Sequence, residues 1–286
     1  MTVSSPWLRR LCLAPMLFLS GAAVGDPGPS AGKPHEVVAG LVAYSLDHFH
    51  YSGQKLDDRT SREWMNQYLR SLDPARIFFS AQDIAEISRY QEILDDAMGM
   101  IPADLSPAFE IHERYRQRVF AYCDYAQGLI TTKDGLQFRD AEIVADRSEA
   151  PWAVDDAEQK VLWRDRVIEQ RLRLVLQGMS VEEADEKLAK RFERLRRDVD
   201  ETETSDVMEV FLGSLGQAYD PHSSWFAPSN KEDFDIEMSD SLEGIGATLV
   251  REEDYITVRS LVPGGPAEKG GALQPGDRIS AVSQKG

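Results

Sequence analysis

The sequence predicts a mainly α amino-terminal domain followed by a partial α/β domain. From Glu36 to Tyr219, apolar residues recur at helical spacing, punctuated by cap and turn residues. After Leu242 the period changes. Tyr255-Ile256-Thr257-Val258 and Arg278-Ile279-Ser280-Ala281-Val282 read as strands, and glycine- and proline-rich turns separate them.

The first residues stand apart from both. Arg9 and Arg10 give a positive start, and Leu11 to Leu19 is an apolar run too short to span a membrane as a helix. Small residues follow at Ser20, Gly21, Ala22, Ala23 and Gly25, so residues 1–25 read as a secretory signal peptide. Cys12 lies inside the apolar run rather than after it, which argues against a lipoprotein acceptor. Once the leader is removed, Cys123 is the one remaining cysteine, and an intramolecular disulfide is impossible. Stability then has to come from the core, which a chain of 286 residues can supply. Cys123 sits in an apolar helical stretch and reads as buried and inert. Residues 26–35, rich in Pro, Gly and Ser, read as a flexible mature amino terminus.

Residues 36–219 form the helical domain. Val37, Val38, Leu41, Val42, Leu46 and Phe49 make a first apolar stripe. Trp64, Tyr68, Leu69 and Leu72 make a second, ended by Asp73-Pro74. Ser80 with Asp83 three positions on is a cap pattern before Ile84, Ile87 and Tyr90. Phe109 to Ile130 carries Tyr115, Val119, Tyr122 and Cys123. Val161, Val167, Leu174 and Val175 mark a further helix that closes near Gly178. Ser180 and Glu183 form a capping box for the helix through Leu188, Phe192, Leu195 and Val199. Asp206 with Glu209 opens the last, which carries Val210, Phe211 and Leu215. Residues 131–155 read as irregular, with one short strand around Phe138. Residues 220–240, with Asp220-Pro221, Pro228 and Asn230, read as a linker. Residues 241–286 form the α/β part, with a short helix from Pro266 to Lys269 opened by proline.

The chain carries 49 acidic against 32 basic residues, a net charge of −17. That argues against a nucleic-acid binder, which needs a basic face, and disfavours adhesion to anionic lipid. Hydrophobic residues at 42% and charged residues at 28% fit a cored protein with a soluble surface.

The feature most suggestive of function is Leu242-Glu243-Gly244-Ile245-Gly246. Two glycines around one apolar residue let successive backbone N–H groups turn toward one point, which suits an anion such as a free peptide C-terminus. Ala247-Thr248-Leu249-Val250 would be the strand beside which that peptide lies. The candidate binding residues are therefore Leu242, Glu243, Gly244, Ile245, Gly246, Ala247, Thr248 and Leu249. Gly265-Pro266-Ala267-Glu268-Lys269 and Gly276-Asp277-Arg278-Ile279 follow in order. Together these segments resemble a PDZ domain in the bacterial arrangement, with the carboxylate loop first, so that the whole reads as a mainly α domain followed by a partial α/β PDZ-like domain.

Upstream, Tyr219-Asp220-Pro221-His222-Ser223-Ser224-Trp225-Phe226-Ala227-Pro228 and Glu237-Met238-Ser239 lead into Leu242 to Ala247. This run is similar to the approach to the PDZ domain in the tail-specific proteases, the C-terminal-processing serine peptidases of the bacterial periplasm. Trp225 stands where that family more often has Tyr. Leu72-Asp73-Pro74-Ala75-Arg76-Ile77-Phe78-Phe79 is similar to a segment of their helical domain. The resemblance implies a periplasmic protein, endoproteolysis of substrates that bear apolar C-terminal tails, and tail recognition by the PDZ domain. It also implies a Ser–Lys catalytic pair, whose lysine must be held neutral, with an oxyanion hole. It leaves room for a lipoprotein adaptor docking on the helical domain. The resemblance places the second PDZ helix, the last PDZ strand and the catalytic domain after Gly286. No residue of this chain is therefore assigned a catalytic role, the chain alone is expected to be inactive, and it is expected to bind tails poorly. A non-catalytic PDZ-type adaptor of the cell envelope is the alternative, and a purely structural exported helical protein is a third reading. A finished adaptor would not be expected to leave the groove with one wall.

No metal or other cofactor is expected. Asp47, His48 and His50 form a tempting cluster, yet residues two apart on a helix point to different sides, and no further Cys/His pair supports a site. His222 beside Ser223 and Ser224 is adjacency rather than a dyad. Glu182-Glu183 and Asp155-Asp156 lie where negative charge favours a helix start. Trp64, Trp152, Trp163, Phe211 and Trp225 read as packing residues.

Overall fold

The computed structural model describes residues 28–133, 136–138, 144, 146–228, 244–252 and 255–282. The chain divides into two units, residues 1–220 and 221–286.

The first unit is helical: α1 (Lys33–Phe49), α2 (Asp58–Leu72), α3 (Ala81–Ile87), α4 (Leu94–Met98), α5 (Ser106–Thr132), α6 (Asp156–Leu176), α7 (Val181–Asp200) and α8 (Thr204–Tyr219). Among the described residues no helix is long and apolar enough to cross a membrane. Helix α2 packs on α8 through aromatic rings. Trp64 and Phe211 lie 4.4 Å apart between ring centroids, and Tyr68 meets Phe211 edge-on at 5.0 Å. The Trp64 indole N–H donates to the Phe211 carbonyl at 2.8 Å, and the Tyr68 hydroxyl donates to the Ala108 carbonyl at 3.0 Å. Burial thus leaves neither polar tip unpaired. Helices α5, α6 and α7 build a second cluster from Val119, Tyr122, Cys123, Trp163, Val167, Leu188 and Phe192. Burial pushes the Cys123 thiol up to about 11, which keeps it unreactive.

The segment after α2 joins these two clusters. Asp73 turns its buried carboxylate onto the N–H groups of Ile77, Phe78 and Phe79 at 2.8–3.0 Å. Burial raises its pKa, and the three N–H groups oppose that shift. Arg76 takes the left-handed conformation at φ 49° inside the turn. The Ile77 carbonyl accepts the Trp163 indole N–H at 2.7 Å, and the Phe78 carbonyl accepts from Gln159. The Leu72–Phe79 sequence therefore forms a carboxylate-organised turn that ties α2 to α6.

Caps fix several helix starts. Ser80 and Asp83 exchange the reciprocal bonds of a capping box, as do Ser180 and Glu183. Asp83 does more than cap. Its fully buried carboxylate accepts from Arg118 at 2.6 and 3.0 Å and from Arg114 at 2.8 Å. Burial alone would raise its pKa, but Arg118 and the Ser80 donors outweigh burial and hold it low.

In this unit four expectations are corrected. The apolar stripe of α1 is not its buried face: Val37, Val38 and Leu41 are exposed, Phe49 is 76% exposed and Val42 and Leu46 are half-buried, while Ala39, Gly40 and Ala43 are buried. The cause is close approach. A Cβ on Gly40 would lie 2.8 Å from the Met100 carbonyl oxygen, so only a face of small residues fits there. That helix also starts at Lys33, inside the expected amino-terminal tail, because Pro34 suits a first turn. The box opening α8 is Glu203 with Asp206, not Asp206 with Glu209. Phe138 is in no strand; the neighbouring Leu136 is buried, with its carbonyl taken by Arg171 at 2.7 Å.

The second unit holds β1 (Ala247–Glu252), β2 (Tyr255–Leu261), α9 (Pro266–Gly270) and β3 (Arg278–Ile279). The sheet runs β1-β2-β3 with both pairs antiparallel, and β2 bulges at Arg259, opposite the step from Thr248 to Leu249. The strand expected over Arg278–Val282 is two residues long.

Candidate functional site

Of the eight predicted binding residues, Gly244, Ile245, Gly246, Ala247, Thr248 and Leu249 are described, while Leu242 and Glu243 lie outside the described residues. The six run from a glycine turn directly into β1. Gly246 has φ 74°, a conformation that favours glycine, and a Cβ there would lie 3.1 Å from both the Gly265 Cα and the Pro266 Cδ. Gly265 is equally constrained, since its own Cβ would fall 2.9 Å from the Val262 carbonyl oxygen. The loop and the start of α9 thus meet backbone to backbone. Gly244 differs: a Cβ there would meet nothing within 4 Å.

Carbonyls hold this packing together. The Ile245 carbonyl accepts from Ala267 N–H at 2.7 Å, and the Gly246 carbonyl accepts from Val262 N–H at 2.8 Å. With both carbonyls turned to α9 and β2, their two peptide planes carry the N–H groups of Gly246 and Ala247 the other way. Among the described residues, no backbone carbonyl accepts the N–H of Gly244, Ile245 or Gly246. Such a set of outward N–H groups attracts a carboxylate.

Beside the loop, β1 pairs with β2 on one side only, so among the described residues its other edge carries no strand. An extended peptide can extend the sheet at such an edge. Ile245 is 50% exposed and Leu249 43% exposed, leaving apolar side chains on offer next to the loop. The glycine pattern made the turn into β1 legible in the sequence. The sequence did not show that Gly246 is held by Gly265, because that contact joins segments distant in the chain.

The other clusters have structural occupations. The Asp47 carboxylate accepts from Leu56 N–H at 2.9 Å and from Lys55, and the Leu56 bond is the main reason its pKa is low. His48 Nδ1 faces the Tyr44 carbonyl oxygen at 3.0 Å, one helical turn back, and its ring stacks on Tyr44 at 4.0 Å. His50 packs edge-on against Tyr219 at 5.3 Å. Among the described residues, no three His, Cys, Asp or Glu side chains converge as a metal site would need.

Comparison with known proteins places these two units. The family model described as the tail specific protease N-terminal domain matches residues 42–229, and one described as the PDZ domain matches residues 233–285. The tail-specific protease of Haemophilus influenzae is 32% identical over 257 residues, which is 90% of this chain and 36% of that protein. The carboxy-terminal processing protease CtpA of Bacillus subtilis is 32% identical over 102 residues, 35% of this chain and 22% of that protein. The chain therefore spans little more than a third of the length of the first relative and less of the second.

Proposed function

The chain belongs to the family defined by the tail-specific protease N-terminal domain, and from that premise we propose that it is the tail-recognising amino-terminal part of a periplasmic, C-terminal-processing serine endopeptidase. The observation that carries the reading is the loop at Gly244–Gly246. The Ile245 and Gly246 carbonyls are bound inward, the Gly246 and Ala247 N–H groups face the other way, and the loop feeds a strand edge that no described strand pairs. A protein C-terminus would place its carboxylate on those N–H groups and its preceding residues along β1 as an added strand. Ile245 and Leu249 would contact the apolar side chains of the tail. Proteolysis itself would be the work of a Ser–Lys pair outside this chain.

Export is supported by the Arg9-Arg10 start, the apolar run Leu11 to Leu19 and the small residues behind it. A lipoprotein adaptor docking on the helical unit belongs to the same reading and rests on the family resemblance.

The test is a titration of the ¹⁵N-labelled chain with a peptide that ends in apolar residues and a free carboxylate. Amide shifts confined to Gly244–Leu249, lost when the peptide is amidated, are the expected result. Affinity weaker than about micromolar is expected for this chain. Equal shifts with the amidated peptide, or none with either, would refute tail recognition at this loop.

A further inference from the structure

A second site lies on the small unit, away from the glycine loop. Val250 pairs in register with Thr257, and Thr257 pairs with Arg278, so these three side chains share one face of the sheet. Arg259, the extra residue of the bulge on β2, has no partner on β1 and lies beside this group. Val250, Thr257, Val258, Arg259, Gly276 and Arg278 line a concavity of about 580 Å³. Along β1, Val250 is about 13 Å from Gly246 at the usual rise per residue, so this face is distinct from the loop.

Three features point to an anion. Thr257 is only 7% exposed, and its hydroxyl has no hydrogen-bond partner among the described residues. A buried hydroxyl without a partner costs free energy, which a bound acceptor would recover. Among the described residues, no carboxylate pairs with Arg259 or Arg278, whereas the first unit pairs Arg62, Arg70, Arg114, Arg116 and Arg118 with acids. This holds in a chain with 49 acidic residues. Finally, the Arg278 guanidinium lies over the Tyr255 ring at 5.2 Å, a contact that holds its plane and leaves its N–H edge available.

We propose that Thr257, Arg259 and Arg278 form an oxyanion-binding site. The threonine hydroxyl donates one hydrogen bond, the two guanidinium groups supply charge and further donors, and the ligand is a phosphate- or carboxylate-bearing group.

The full chain tests this by amide-shift titration with inorganic phosphate and, separately, succinate, each against chloride at matched ionic strength. Saturable shifts at Thr257, Arg259 and Arg278 that chloride does not reproduce are expected. Stronger binding of phosphate identifies a phosphate-bearing ligand, and stronger binding of succinate a carboxylate. Arg259→Gln and Arg278→Gln are each expected to weaken binding about tenfold. Thr257→Val should weaken it several-fold while raising thermal stability, because valine fills the position without an unpaired hydroxyl. Shifts that chloride reproduces, or three variants that bind as the parent does, overturn the site. A Thr257→Val chain that gains stability and keeps full affinity overturns the hydroxyl's role.

Discussion

The helical unit and the small β unit are held by different forces. In the first, large side chains close the core: Trp64, Tyr68, Phe79, Phe192 and Phe211 are all fully buried, and the polar tips of Trp64, Tyr68 and Trp163 find carbonyl partners. In the second, Thr257 and Val258 are the only described strand residues that are buried, while Ile245, Leu249, Ile256 and Val262 stay exposed. What fixes the second unit is backbone: the antiparallel ladders, the approach of Gly246 to Gly265, and the carbonyl bonds of Ile245 and Gly246. Removing side-chain volume should therefore damage the first unit heavily, and adding a single methyl at the loop should damage the second.

The largest effect expected is from Trp64→Ala. It opens a cavity between α2 and α8 and leaves the Phe211 carbonyl without the indole donor. A loss of about 3–5 kcal/mol is expected, read from denaturant unfolding followed by the helix signal. A loss below about 1 kcal/mol would mean that ring packing does not carry this unit. Asp83→Ala should come close behind. It removes the buried acceptor of Arg118 and Arg114, which keep contact with solvent, so a loss of about 1.5–3 kcal/mol is expected. Because the folded pKa of Asp83 is held below 3.8, its contribution is present above that pH and is lost as pH falls through the folded value. An Asp83→Ala chain should therefore show a shallower acid-induced loss of stability than the parent.

The same contrast explains what could be read from the sequence. Caps were legible because they are local: Ser80 with Asp83 and Ser180 with Glu183 sit three residues apart and bond as their spacing requires. The glycine loop was legible for the same reason. The inward face of α1 was not, because its use of Ala39, Gly40 and Ala43 depends on the backbone at Met100, far along the chain. Hydrophobicity alone pointed to Val37, Val38 and Leu41, which are exposed. The concavity lined by Thr257, Arg259 and Arg278 was hidden too, since it exists only once β3 pairs with β2 in a particular register. Nor could the spacing of Asp73 and Phe79 say that one carboxylate would gather three backbone donors.

Gly246→Ala tests the backbone side of the comparison. The added Cβ must adopt φ 74° and lie 3.1 Å from Gly265. Left-handed backbone costs a non-glycine residue about 1–2 kcal/mol, and the crowding adds to it. We expect faster amide exchange across Ala247–Leu261 and loss of tail-peptide shifts. Unchanged exchange and unchanged binding would show that the loop is not held by close approach.

A smaller effect concerns pH in the helical unit. His112 is buried, and burial lowers its pKa below 6.5; Glu113 and Asp206 oppose that shift, while Arg116 adds to it. The unfolded chain takes up this proton first, so stability should decline as pH falls below about 6.5 and level off below the folded pKa. His112→Gln should flatten that part of the pH–stability curve, as followed by thermal unfolding. An unaltered curve would place the decline elsewhere.

The smallest expected change in stability is the most informative about the site. Leu249 is 43% exposed on β1, directly beside the glycine loop. Leu249→Ser removes an apolar side chain that the described fold scarcely uses, so unfolding free energy should shift by no more than about 0.5 kcal/mol. Under the tail-binding reading, that side chain contacts the apolar residues of a bound terminus, and its loss should weaken peptide binding several-fold. The pairing of these two outcomes separates a binding residue from a structural one. A large stability loss would mean that Leu249 belongs to a core, and the unit would then resemble the helical one more than its burial suggests. Unchanged peptide affinity would move the apolar contact off β1 and leave the loop to act on the carboxylate alone.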